Sequence, residues 1–479
     1  MPDALAWADA CALAELVRTK QVSPLELVDA AIARIEQLDP TLNAVIHRRF
    51  ERAREDAMGE LPDGPFRGVP FLVKDALCTT ASDPFHAGTR FLKAASWCAP
   101  ADTELAARYR RAGFVFVGRT NTPEFATSAT TEPLAYGPTR NPWDTERSPG
   151  GSSGGSGAAV AAGYVPAAHG NDMGGSIRIP SGWCGLVGLK PSRGRNTLAP
   201  AHGEYWATLT HEHVLTRTVR DSAAILDVTA GPALGDPYTA PPPARPFAAE
   251  VGAPVEPLRV AFRTHRPDNG AESHPEVVRA VHDTAALLGE LGHHVEADPL
   301  PGLDGWDGLA GMSGVIAAWV AYEVDLWGER LGRELALDEL EPANAAMVER
   351  ARSMTAVEYV KTIELMNEYS RRAASWSERF DLLLLPTAPW PAPPLGVLGP
   401  KVVEDHPEFE RRGPAVFTLP FDITGEPAMS LPMHWTADGL PVGVQLVAPY
   451  GREDVLFRVA AMLEQAHPWA DRHPAIAAW

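Results

Sequence analysis

The chain has 479 residues, of which 45% are hydrophobic and 22% charged, the balance of an ordinary globular protein able to bury a sizeable core. Its 61 acidic residues outweigh 42 basic ones, and the formal charge of −19 argues against nucleic acid or anionic membrane as a partner. Four scattered cysteines without a CxxC pair argue against zinc and structural disulfides, and with no secretory leader pattern and no apolar run of bilayer length they point to a soluble cytoplasmic protein.

The first sixty residues read as helices, with Leu5, Ala8, Leu13, Leu16 and Val17 at helical spacing. Ser23-Pro24-Leu25-Glu26 is a capping box with proline at the first helical position. A β-prone run, Val69 to Val73, ends abruptly in Lys74-Asp75; a helix over 106–112 and a buried strand over 113–121 follow. After residue 256 strand, helix and strand alternate: LRVAFRTH, a proline-opened helix over 275–291, then HHVEAD. Further strands are expected at 382–385 and 442–447. The alternation predicts an α/β fold with a large mixed, mostly parallel central sheet covered by helices on both faces. The proline-rich stretch 239–257 is either a linker or a surface crossover. Residues 305–378 read as helices bearing Trp306, Met312, Trp319 and Trp327, whose aromatics serve either packing or a pocket wall.

SPGGSSGGSGAAVAAG (148–163) is the most unusual composition in the chain. Gly/Ser runs usually behave as slack coil, yet this one leads straight into an alanine-rich, helix-favouring segment. The lysine and spacing of a P-loop are missing. The polar TRNPWDTERSP upstream lacks the strand that a Rossmann turn or a nucleophile elbow requires, although G-x-S-x-G fits formally around both Ser152 and Ser153. A second stretch, HGNDMGGSIRIPSGWCGLVGLKP, carries Met173-Gly174-Gly175-Ser176. Successive N–H groups on one side of such a turn can hold an oxyanion beside an attacking Ser176 hydroxyl.

GGSSGGSGAAVAAG, GNDMGGSIRIP and GLVGLKPSRGR together resemble the signature of the amidase signature hydrolases. GVPFLVKD lies at the family's spacing: Lys74 is 78 residues before Ser152, which is 24 before Ser176. GRTNTPEFA, RNPWD and GLPVGVQLVAPYGRED extend the likeness over nearly the whole chain, as one domain with N-terminal helices (1–62), a catalytic core (63–235) and a completing part (258–479) whose segment 305–378 lines the pocket. TTEPLAYGPTRNPWD and HGND resemble most the 6-aminohexanoate cyclic-dimer hydrolase branch.

The resemblance implies Ser176 as nucleophile, Ser152 as a bridging serine after a cis peptide bond, and Lys74 as terminal base. It implies an oxyanion hole from the N–H groups of Met173, Gly174, Gly175 and Ser176, with Asn171, Asp172, Arg178 and Ser153 in support. Taken singly, Lys74-Asp75 would be a solvated pair and the two serines turn residues; three spaced motifs together overturn that. Such a base must be neutral, and burial is what lowers a lysine from its usual pKa of about 10.4. Asn171 stands where the family commonly has Thr or Ser, which removes a hydroxyl contact, and Met173 replaces a smaller residue and narrows the pocket. Cys184 is expected as a buried filler and His169 as structural. His211-Glu212-His213 lacks H-E-x-x-H spacing, and no metal is assigned. The implied activity is cofactor-free hydrolysis of amide bonds in small neutral or linear apolar substrates through an acyl-enzyme, with nylon-like oligoamides or carbamates as candidates, in a monomer or homodimer without nucleic acid or membrane. An amidotransferase subunit working with a partner chain is the alternative, and a non-catalytic binding protein the third reading.

Overall fold

Four consecutive leucines, Leu382 to Leu385, show how the sheet is covered. Side chains alternate along a strand, so Leu382 and Leu384 pack with Val260, Leu446 and Val281 on one face. Leu383 and Leu385 pack with Ala261, Val447 and Tyr369 on the other. A strand buried on both faces reads as an unbroken apolar run. The same division recurs at the other end, where Leu72 and Val117 join one core and Phe71 and Phe116 another. In the computed structural model, which describes residues 4–305, 307–400 and 413–478, helices therefore cover both faces as expected.

Eleven strands of the described residues form one sheet: β1 Val45–Arg48, β2 Pro70–Lys74, β3 Val115–Thr120, β4 Ala167–Asp172, β5 Val187–Lys190, β6 His211–Thr216, β7 Arg259–Phe262, β8 His294–Ala297, β9 Leu382–Pro386, β10 Ala428–Trp435 and β11 Pro441–Val447. Their order is β1-β3-β2-β4-β6-β5-β10-β11-β9-β7-β8. The fold is α/β and the sheet is mixed, but it is not mostly parallel. Parallel pairing is confined to β3-β2-β4 and β9-β7-β8; the six other neighbouring pairs are antiparallel. The crossover segments advertise themselves through long helices, whereas β10 and β11 are joined by a short turn through Asp438-Gly439, a hairpin signal. β1, within the stretch read as all helix, is likewise a correction: it is only four residues long and half-buried.

The capping box forms as expected, Glu26 N–H donating to Ser23 Oγ and Ser23 N–H to Glu26 Oε2. The proline-rich stretch 239–257 leads into β7 of the same sheet, so it is a crossover. The segment read as helical from 305 contains Asp307–Leu331, Pro342–Ser353 and Ala356–Ala373. Within it Trp327 packs on Trp97 and Trp319 on Tyr205, while Trp306 lies outside the described residues. No helix of the described residues is long and apolar enough to cross a membrane.

The Gly/Ser run is not slack. It enters the helix Gly154–Ala161, every residue of which is buried against β4, β2 and the neighbouring helix Arg178–Cys184. Gly155 is required by proximity: a Cβ there would lie 2.5 Å from the main-chain nitrogen of Asn121. Gly155→Ala is expected to cost about 1–3 kcal/mol through overpacking, read as a lower urea midpoint with an unchanged slope.

Candidate active site

β2, third strand from one edge of the sheet, ends in Lys74, and no part of that side chain reaches solvent. Its neighbour Asp75 is taken up by Arg119 of β3, whose Nε donates at 3.0 Å, while Arg119 Nη2 donates to the Lys74 carbonyl at 2.9 Å. The main chain at Lys74 is thereby fixed. The Lys74 amine meets different partners, donating to Ser152 Oγ at 2.7 Å and to Asn171 Oδ1 at 2.5 Å. Among the described residues it has no carboxylate partner. Burial lowers its pKa to about 7, against the opposing pull of the Glu212 and Asp172 carboxylates.

Ser152 is held by a ribbon pinned at several points. Asn141 Nδ2 donates to the Ser148 carbonyl, Thr131 Oγ1 to that of Gly150, and the Gly154 N–H to Thr131 Oγ1. The Gly151–Ser152 peptide bond is cis, as the family likeness implies. Ser153 ties ribbon to turn: its N–H donates to the Ser176 carbonyl at 3.3 Å and its Oγ to the Asn171 carbonyl at 3.2 Å. Asn171, where a hydroxyl was expected to be lost, supplies the carbonyl oxygen that orients the lysine and donates its Nδ2 to the Ala76 carbonyl.

The turn after β4 is organised by Asp172. Its carboxylate accepts from the N–H groups of Gly175 at 2.5 Å, Ile177 at 3.1 Å and Arg178 at 3.3 Å. Arg178 closes the carboxylate from the other side with two bonds of 2.9 Å. The remaining guanidinium donors reach Asp422, the Thr418 carbonyl and Gln445 Oε1. Burial works to raise the Asp172 pKa, but the Arg178 charge overrides it and holds the carboxyl well below the usual range. Asp422, Thr418 and Gln445 escaped the sequence reading because they lie more than 200 residues away in the chain. Only Gln445 fell within a quoted motif.

This network amends the expected oxyanion hole. The Gly175 N–H is already spent on Asp172, and Gly175 instead provides the bend at φ +130°, in the region that favours glycine. The N–H groups of Met173, Gly174 and Ser176 donate to no acceptor among the described residues. Ser176 Oγ also lacks a hydrogen-bond partner there, so the Ser176 and Ser152 side chains are not bonded to each other. Such contacts often tighten only with substrate bound.

Ser176 opens onto a cavity of about 460 Å³ whose walls include Gly151, Met173, Trp206, Met312 and Met347. An open depression of about 760 Å³ against β7 and β8 shares no residue with it and contains none of these groups. Cys184 is buried, its thiol directed to the Pro149 carbonyl. His169 contacts Glu212, and His213 is bonded to Ser222, so the His-Glu-His run divides among separate partners.

The family model described as amidase matches residues 26–457. The chain belongs to the amidase signature family. It is 42% identical to a 6-aminohexanoate-cyclic-dimer hydrolase of Paenarthrobacter ureafaciens over 98% of this chain and 96% of that one. A solved structure of 6-aminohexanoate cyclic dimer hydrolase superposes with a TM-score of 0.94 at 41% identity, covering 98% of this chain and 99% of the other. A bacterial aryl acylamidase matches with a TM-score of 0.88 at 27% identity over 97% of both chains. This amidase is accordingly a hydrolase of amide C–N bonds, similar to 6-aminohexanoate-cyclic-dimer hydrolases. Asp172→Ala in this amidase is expected to cost about 3–5 kcal/mol, because it leaves the buried Arg178 short of its counter-charge; chemical denaturation measures it.

Proposed function

We propose that this amidase cleaves its substrate through a Ser176–Ser152–Lys74 triad and an acyl-enzyme. The observation that carries the proposal is a wholly buried amine, 2.7 Å from Ser152 Oγ, with only neutral hydrogen-bond partners among the described residues. A serine hydroxyl attacks poorly until something takes its proton. As Ser176 Oγ bonds to the substrate carbonyl carbon, its proton passes to Ser152 Oγ, whose own proton passes to the neutral Lys74 Nζ. The carbonyl oxygen becomes an oxyanion facing the N–H groups of Met173, Gly174 and Ser176. The C–N bond then breaks as the leaving nitrogen takes a proton from Ser152, which Lys74 replenishes. Water repeats the attack in the second half-reaction, with the same handovers, and releases the acid.

The substrate proposed is a small neutral or linear amide flanked by apolar chain, such as an oligomer of an ω-amino acid, which suits a cavity whose walls include methionine and tryptophan side chains. Kinship with the 6-aminohexanoate-cyclic-dimer hydrolases supports that class. A carbamate would undergo the same attack and leave a carbamoyl-enzyme. No partner chain enters the scheme, and the protein is proposed to work as a monomer or homodimer. Matched hexanoyl anilide, ester and carbamate substrates, with glutamine alongside, separate these classes in one assay. Glutamine turnover above that of the anilide would instead assign an amidotransferase subunit.

Ser176→Ala and Lys74→Ala are each expected to lower kcat/KM for the anilide by more than roughly 10³-fold while circular dichroism stays unchanged. Full activity in either variant removes the triad. Because the base must be neutral, kcat/KM should rise about tenfold per pH unit below 7 and level off above it. Asn171→Asp sets a carboxylate beside the amine and favours its charged form. The acid limb should move upward by roughly one to three pH units, and a stationary limb would exclude Lys74 as the titrating group.

A further inference from the structure

One wall of the cavity is held by a carboxyl group that the catalytic scheme does not use. The helix Pro342–Ser353 lends Asn344, Met347 and Arg350 to the lining. At its start Glu341, the N-cap residue, makes no side-chain cap of its own. The exposed first-turn N–H groups of a helix need acceptors from elsewhere. Glu124, just beyond β3 and fully buried, supplies one: its Oε1 accepts from the Glu341 N–H at 2.7 Å and from Asn344 Nδ2 at 2.9 Å. Asn344 is gripped a second time, its Oδ1 accepting from Thr127 Oγ1 at 2.8 Å. The Glu341 carboxylate reaches back to the same region of the chain and accepts from the Leu134 N–H at 2.7 Å. These bonds join the rim of the sheet to a helix more than 200 residues later.

We infer that Glu124 is a positioning residue, clamping the start of the helix Pro342–Ser353 to the end of β3 and thereby fixing the substrate-facing wall that Asn344 and Met347 supply. Glu124 does not line the cavity itself and acts through Asn344. Its role rests on the reading of the cavity as the substrate site. Burial pushes its pKa up to about 7; the neighbouring Glu341 carboxylate adds to this, and the Asn344 and Glu341 bonds and Arg90 oppose it. Glutamine is the near-isosteric substitute that keeps the Oε1 acceptor.

The test is steady-state kinetics on hexanoyl p-nitroanilide at pH 6.5 with the full chain. Glu124→Ala is expected to raise KM about tenfold or more, the scale of a lost hydrogen bond to a carboxyl group, with kcat within threefold. Glu124→Gln should restore KM to within threefold of the parent. Should Glu124→Ala fail to fold, Glu124→Asp, which withdraws the carboxyl from the helix start by one methylene, must show the same split. An unchanged KM in the alanine variant, a fall in kcat alone, or no rescue by glutamine overturns the inference. None of these outcomes bears on the triad, which stands or falls with Ser176→Ala.

Discussion

The amine of Lys74 is buried with a hydroxyl and an amide carbonyl as its partners and, among the described residues, with no carboxylate to hold it in the charged form. Desolvation of an ammonium is costly, and without a counter-ion the group adapts by giving up its proton near neutrality. Much of the surrounding architecture serves that condition. Arg119 takes Asp75 away from its neighbour, and Arg178 takes Asp172, the two carboxylates closest to the lysine in the chain and at the turn. Glu212, the other acid whose charge is felt at Lys74, is turned to His169. Each of these three carboxylates bonds to a side chain other than Lys74.

The same economy governs the turn that carries Ser176. Asp172 accepts from the N–H groups of Gly175, Ile177 and Arg178, and so decides by subtraction which amides of the turn stay unbonded among the described residues. A carboxylate that organises the turn and is itself neutralised by a bidentate guanidinium leaves behind a set of uncommitted dipoles. Preorganisation of this kind costs no rearrangement when charge develops. The far wall of the cavity follows a similar rule, with Glu124 occupying the helix-end donors that would otherwise be left bare.

Much of the site was legible from residue types and spacing, because the family's motifs are long and lie at fixed intervals around Lys74, Ser152 and Ser176. The sense of the strands was not. Apolar runs announce strands, but direction depends on what joins them, and β4, β5, β6 and β10 carry glycines, polar residues or a proline that mask their periodicity. The fate of the Gly175 amide was equally hidden: a glycine-rich turn offers several N–H groups, and nothing in the string says which one an aspartate three residues earlier will claim. Thr418, Asp422 and Gln445 around Arg178, and Glu341 and Asn344 around Glu124, come from chain segments over 200 residues distant, and a single sequence holds no signal linking them.

By itself the sequence determined the chemistry on offer: a lysine closing an apolar strand, two serines in glycine-rich surroundings, and apolar runs sufficient to cover a sheet on both faces. Only the tertiary structure decided which groups are charged, which amides are free and how wide the cavity stands. Those properties depend on distance and on exclusion of water, and both are set by side chains that meet only when the sheet has closed around them.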